Sequence, residues 1–156
     1  MKKKKEKIDF CIVGEPTNPN KLGEMIKIGR RGSISGTIMI YGSQGHVAYP
    51  HLSNNPVNTL VNICKKLNER KLDRGNKNFQ PSNLEITSIN VDNTATNVIP
   101  ASARAQFNVR FNNLHTSSSL KKKITSIVKI LSKKNKCKFK IDFHVSGESF
   151  LTKPNK

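Results

Sequence analysis

The residues best able to do chemistry fall in two glycine-bracketed clusters. One is Gly29-Arg30-Arg31-Gly32-Ser33; the other is Gln44-Gly45-His46-Val47-Ala48-Tyr49-Pro50-His51. They flank a single apolar strand, Ile34 to Tyr41. Glycine lets backbone come close where a side chain would not fit. Guanidinium, imidazole, hydroxyl and phenol groups beside such points make donors for an anionic or carbonyl-bearing partner. That combination describes a binding edge rather than a core. Glu15 is a third candidate. It ends the short apolar run Asp9 to Val13 and precedes Pro16, whose fixed turn locks the direction of the carboxylate. Such a position suits a metal ligand or a general base, while an exposed turn glutamate is the simpler reading of Gly14-Glu15-Pro16-Thr17 alone.

Several elements must position these groups. Asp9 to Val13 reads as a short buried strand, and Glu24 to Ile28 as a strand leading into the Arg30-Arg31 corner. Ile34, Gly36, Ile38 and Ile40 alternate with Ser33, Ser35, Thr37 and Met39, which marks a strand with one buried face. Asn54-Asn55-Pro56 offers an N-cap and a first-turn proline. Val57, Leu60, Val61, Cys64 and Leu67 then recur at helical spacing, to an end near Arg70. After a polar loop from Asp73 to Ser82 comes a strand of Leu84, Ile86, Ile89 and Val91, whose slipped alternation predicts a bulge. Asn97-Val98-Ile99-Pro100 leads into a strand with Ala103, Ala105, Phe107, Val109 and Phe111 facing in. Thr116 to Ser119 caps a second helix striped by Leu120, Ile124, Ile127, Val128 and Leu131. Cys137, Phe139, Ile141, Phe143 and Val145 form the last long strand, and Gly147 to Lys156 is a polar exit. From residue 34 onward the order is strand, helix, strand, strand, helix, strand. It predicts an α+β, ferredoxin-like two-layer sandwich, with a four-stranded antiparallel sheet and two helices on one face.

Composition narrows the function. The chain has 156 residues, a formal net charge of +18 and 35% hydrophobic residues. This is enough for one domain with a real core. No run approaches the roughly 18 to 20 apolar residues of a membrane helix, and Phe10 to Val13 is too brief for a signal-peptide core. The charge invites a nucleic-acid reading. Yet the excess is nearly all lysine, which rises together with asparagine and isoleucine and lacks the interleaved aromatics of a stacking platform. Cys11, Cys64 and Cys137 are widely spaced in apolar settings, as expected of reduced core thiols in a cytoplasmic protein.

Six segments carry a resemblance. They are Cys11-Ile12-Val13-Gly14-Glu15-Pro16, Gly29 to Ser33, Gln44 to Leu52, Asn97-Val98-Ile99-Pro100, Gln106 to Phe111, and Ser146-Gly147 with Phe150-Leu151-Thr152. In this order the chain resembles the dinuclear zinc aminoacylase and carboxypeptidase family. The Gln44–Leu52 phrase points to its branch that removes succinyl groups from acyl-diamino acids. The resemblance implies a metal-dependent amidohydrolase with two Zn2+ ions, or Co2+ in one position. It makes Glu15 a carboxylate ligand to one metal. His46 becomes a lid histidine reaching across a homodimer to the neighbour's oxyanion, and Arg30, Ser33, Tyr49, Asn97 and Arg110 become contacts to the carboxylates of a small anionic acyl-amino acid. Arg31 and His51 are equally readable as structural hydrogen-bonders. Thr96 stands where that family normally has asparagine.

The same resemblance implies an incomplete enzyme. A first histidine ligand, a bridging aspartate, an adjacent pair of glutamates and a final histidine have no matching motif here. Glu15 alone would hold zinc poorly. The expected organisation is a catalytic-domain stub at 1–28, a lid and dimerisation domain at 29–146, and a return stub at 147–156. On this expectation the chain is an excised domain or the remnant of a broken gene, inactive by itself. A non-catalytic dimerisation module, a basic nucleic-acid-binding domain and a relative acting on acetylornithine are the alternatives.

Overall fold

The computed structural model describes residues 18–153 together with Cys11 and Gly14. Its elements in chain order are β1 (Gly29–Arg30), β2 (Gly32–Tyr41), β3 (Gly45–His46), a 3-10 turn (Pro50–Leu52), α1 (Pro56–Asn68), β4 (Asn83–Asn90), β5 (Val98–Ile99), β6 (Ser102–Phe111), α2 (Ser117–Lys134), β7 (Lys138–Gly147) and β8 (Phe150–Leu151). The alternation in β2 buries Ile34, Ile38 and Ile40 completely. Gly36 lies on the same face directly opposite Phe107. A methyl group there would strike the Phe107 ring, as one at Gly32 would strike Phe111. The two glycines are therefore hollows that receive phenyl rings, a way of filling sheet positions that lack a side chain. Phe107 also meets Phe143 edge-on, with centroids 6.1 Å apart.

The main sheet runs β4-β6-β2-β7 and every pairing is antiparallel. This is the ferredoxin-like order expected from the sequence. The anticipated irregularity in β4 is present as a register shift between Ile86 and Ser88. Both helices cover one face, α1 over β4 and β6 and α2 over β7. Asn55 caps α1 by accepting from the Val57 and Asn58 amides. Thr116 and Ser119 close a reciprocal capping box on α2. The opposite face of the sheet is polar, with Ser35, Thr37, Gln106 and Asn108 along its centre.

Some expectations change. Glu24 to Ile28 forms no strand; only Gly29–Arg30 pairs, with Phe150–Leu151, and Ile26 is left 82% exposed. The polar exit thus contains a strand the sequence reading missed. Asn97 to Pro100 does not run into β6: Val98 and Ile99 leave to pair with β3. Helix α1 ends at Asn68 and buries Ile63 rather than Val61, which is 51% exposed. Ile89, also expected inside, is 54% exposed. Cys64 and Cys137 are buried thiols, but Cys11 is exposed, and all three are free. The strand expected at Asp9 to Val13 lies, apart from Cys11, outside the described residues.

Candidate functional site

The arginine cluster sits where the chain enters and leaves the sheet. Gly29 pairs with Leu151 and Arg30 with Phe150, so the incoming and outgoing segments form one antiparallel ribbon. The Thr152 amide extends it by donating to the Ile28 carbonyl at 2.7 Å. Ser33 lies opposite Arg110 on β6, and Arg110 lies opposite Asn83 on β4. Arg31 donates to the Pro81 carbonyl and to Asn83 Oδ1, each at 3.4 Å. Arg30 and Arg110 are exposed, whereas Ser33 is buried at 2%. One end of the sheet therefore carries three guanidiniums around a short row of hydroxyl and amide groups. That chemistry suits a carboxylate-bearing ligand.

The histidine cluster is a loop with a closed neck. The Ser43 amide donates to the Asn54 carbonyl at 3.1 Å, and Ser43 Oγ accepts from the Asn54 amide at 2.7 Å. Beyond the neck, His46 pairs with Val98, and the Val47 amide donates to the Asn97 carbonyl at 3.1 Å. Tyr49 is 57% exposed and its ring lies 6.0 Å from that of His46. His51 stands edge-on to Tyr49 at 6.5 Å. The Ala48 amide donates to His46 Nδ1 at 3.1 Å. An Nδ1 that accepts leaves the hydrogen of neutral imidazole on Nε2. His46 is thus set as an Nε2–H donor on an exposed side chain. Nothing in the sequence alone displays this tautomer, because it depends on how the chain folds back within two residues.

Gly42 makes the neck possible. Its amide donates to the Ala101 carbonyl at 2.9 Å, and a side chain there would collide with the Asn54 carbonyl and crowd Pro56. Gly42→Ala is expected to destabilise the domain by about 1–3 kcal/mol. Urea unfolding checks this, and hydrogen exchange should show the Ser43 and Asn54 amides losing protection first.

The two clusters do not meet. They stand at opposite ends of β2, and the Ser33–Tyr41 stretch alone spans about 26 Å at ~3.3 Å per residue. Arg30, Ser33 and Arg110 share one end; His46, Tyr49 and Asn97 share the other. No small ligand touches both within one copy of the chain.

A buried polar knot missed by sequence reasoning lies beside the arginine end. Asp73 Oδ1 accepts from the Gly75 amide at 2.6 Å and from Asn112 Nδ2 at 2.8 Å. Its carboxylate also accepts from the Ser82 amide at 3.2–3.3 Å, and Oδ2 from His115 Nε2 at 3.0 Å. Burial raises its pKa, but the hydrogen bonds from Ser82, Gly75 and Asn112 prevail and hold it down at about 2. The knot shapes the 73–82 loop, whose Phe79 ring packs on Gly29 and whose Pro81 carbonyl receives Arg31. Asp73-Arg74-Gly75 with φ +75° at Gly75 is a legible turn signal. The His115 partner, 42 positions on, is not.

Glu15 lies outside the described residues. Among the described residues no group of three or more His, Cys, Asp or Glu could hold a metal ion. These residues by themselves do not make a dinuclear zinc site.

Comparison with known proteins agrees with this architecture. The family profile described as "Peptidase dimerisation domain" matches residues 28–136. The chain is 65% identical over all 156 residues to a protein of Pelagibacter ubique named succinyl-diaminopimelate desuccinylase. It is 52% identical over 149 residues to the protein of that name from Parvibaculum lavamentivorans. It spans 41% and 38% of the lengths of those relatives. In fold, it matches a tripeptidase of Staphylococcus aureus with a TM-score of 0.69 and 14% identity, over 83% of this chain and 33% of that one.

Proposed function

The chain belongs to the peptidase dimerisation domain family, and on that premise we propose that it is the lid and dimerisation domain of a succinyl-diaminopimelate desuccinylase. The reaction is hydrolysis of N-succinyl-LL-2,6-diaminopimelate to succinate and LL-2,6-diaminopimelate, a step toward diaminopimelate and lysine. The observation that carries this reading is the 65% identity over the full chain to a relative of that name. Residues 29–146 form the lid, and 1–28 and 147–156 belong with a catalytic domain. The β1–β8 ribbon supports that division, because a domain inserted into another is entered and left at one place.

In this reading the protein works as a homodimer in the cytoplasm on a small anionic acyl-amino acid, with no membrane and no nucleic acid as partner. The three free cysteines are consistent with a reducing compartment. Two Zn2+ ions, or Co2+ in one position, would supply an activated water and a polarised amide carbonyl. Glu15 is the chain's proposed ligand, and the described residues alone do not hold such a centre.

The work of this chain's own residues is orientation and charge stabilisation. Arg30, Ser33 and Arg110 bind substrate carboxylates from one copy, with forked donors that fix direction as well as charge. His46 of the other copy, as an Nε2–H donor, stabilises the oxyanion that develops on the scissile carbonyl. Tyr49 and Asn97 add donors beside it. Neutral His46 needs no proton to play this part.

A chimera provides the test. This chain replaces the corresponding region of the Pelagibacter ubique relative, and the purified protein is assayed with Zn2+ for succinate released from N-succinyl-diaminopimelate. Turnover comparable to the parent is expected. A preference for N-acetylornithine would overturn the substrate, and an inactive but folded and metal-loaded chimera would overturn the lid assignment.

A further inference from the structure

The connection from β4 to β5 is organised by a single side chain. Asn93 is exposed, yet both polar atoms of its side-chain amide bond within the turn it begins. Its Oδ1 accepts from the Ala95 amide at 3.3 Å. Its Nδ2 donates to the Ala95 carbonyl at 3.1 Å and to the Val98 carbonyl at 2.9 Å. The Ala95 N–H can only donate, so it fixes which end of the Asn93 amide is oxygen and turns the nitrogen toward the two carbonyls. The backbone amide of Asn93 is itself tied, donating to the Val91 carbonyl at 2.9 Å.

This turn supports the His46 loop. Val98 is the residue paired with His46, and the carbonyl of the preceding Asn97 accepts from the Val47 amide. A ribbon of two residues on each side is too short to hold its own place. At its Ile99 end the ribbon is secured by burial, since Ile99 is 6% exposed, and by the Ala101 carbonyl that receives the Gly42 amide. Leading into its Val98 end, residues 92–97 are all exposed. Among the described residues, Asn93 is the one side chain that hydrogen-bonds to residues 92–98.

We infer that Asn93 is a positioning residue for His46: its Nδ2 ties the turn to β5, and β5 carries the His46 loop. This role rests on the reading of His46 as an oxyanion donor and adds the residue that holds the donor in place. Such a donor works only at about 2.7–3.1 Å from the oxygen it stabilises. A small drift of the ribbon therefore lowers the rate and leaves carboxylate binding at the far end of β2 alone. Aspartate separates the two halves of the amide. Asn93→Asp keeps the oxygen that accepts from Ala95 and replaces the Nδ2 donor with an oxygen facing two carbonyls.

Amide hydrogen exchange on the 156-residue chain, followed by NMR, tests the tie directly. In Asn93→Asp the Val47 amide should exchange about tenfold faster than in wild type, while the Ser43 and Asn54 amides of the neck keep their rates. In the chimeric enzyme the same substitution should lower kcat about tenfold and leave KM unchanged. In a His46→Ala background it should cost little more, because the donor it positions is already gone. An unchanged Val47 rate in the folded variant would overturn the tie. Faster Val47 exchange with full kcat, or an equal loss of kcat with and without His46, would overturn its action through His46. A chimera that is inactive with Asn93 intact would instead overturn the desuccinylase reading, while the exchange rates still decide the tie.

Discussion

Two inactive variants, co-expressed in the chimeric enzyme, are expected to recover about a quarter of full activity. The first is His46→Ala, which should lower kcat by about 10²–10³-fold with little change in KM, as loss of a single oxyanion donor does. The second is Arg110→Ala, which should lower kcat/KM by about a hundredfold through loss of the proposed charge-assisted contact to the substrate. The two positions stand at opposite ends of β2. Each working site must then combine the arginine end of one copy with the His46 loop of the other. Random pairing makes half of the dimers mixed, and each mixed dimer has one intact site of two. Steady-state succinate release from the mixture, against each variant alone, is the measurement. If His46 served the site of its own chain, both sites of a mixed dimer would be broken and nothing would return.

The separation on which this rests was legible in the sequence, since both clusters could be placed at the ends of one alternating strand. Strict period-2 alternation with one buried face is a local signal, and it assigns β2 and β6 correctly. Val61 and Ile63 show where local signals stop. Both fit an amphipathic helix, and the position of α2 decides which is buried; Ile63 is inside and Val61 is not. Met25 to Ile28 has strand-like composition, but a strand needs a neighbour, and only Gly29 and Arg30 find one in Phe150 and Leu151, about 120 residues later. The Asp73–His115 pair is hidden for the same reason. The neck of the His46 loop lies between these extremes. Asn54-Asn55-Pro56 announces a turn, while the pairing of Ser43 with Asn54 across eleven residues appears only in the fold.

Removing the Asp73 carboxylate should be the costliest change to stability outside the apolar core. Asp73 and His115 are 8% and 9% exposed at their side chains, so solvent cannot replace what the carboxylate accepts. Asp73→Ala would leave the Gly75 and Ser82 amides, Asn112 Nδ2 and His115 Nε2 without their acceptor. The expected loss is about 3–4 kcal/mol, against about 1–2 kcal/mol for His115→Ala, which removes one donor. The pH dependence follows from the depressed pKa. A carboxyl near 2 in the folded chain, against 3.8 as its ordinary value, stabilises the fold fully only above pH 3.8. That contribution, about 2 kcal/mol, is lost as the pH falls from about 4 through 2. Urea unfolding of wild type and Asp73→Asn between pH 5 and 2 should therefore give curves that converge toward acid. Curves that stay parallel would remove Asp73 from the account. The consequence extends to the arginine end of the sheet, because the 73–82 loop holds Phe79 against Gly29 and Pro81 against Arg31. Asp73→Asn should speed amide exchange at Arg30 and Leu151 while the centres of β2 and β6 stay protected. In the chimera the same substitution should raise KM more than it lowers kcat, because it loosens the residues proposed to bind the substrate carboxylates and leaves His46, the proposed oxyanion donor, in place at the far end of β2.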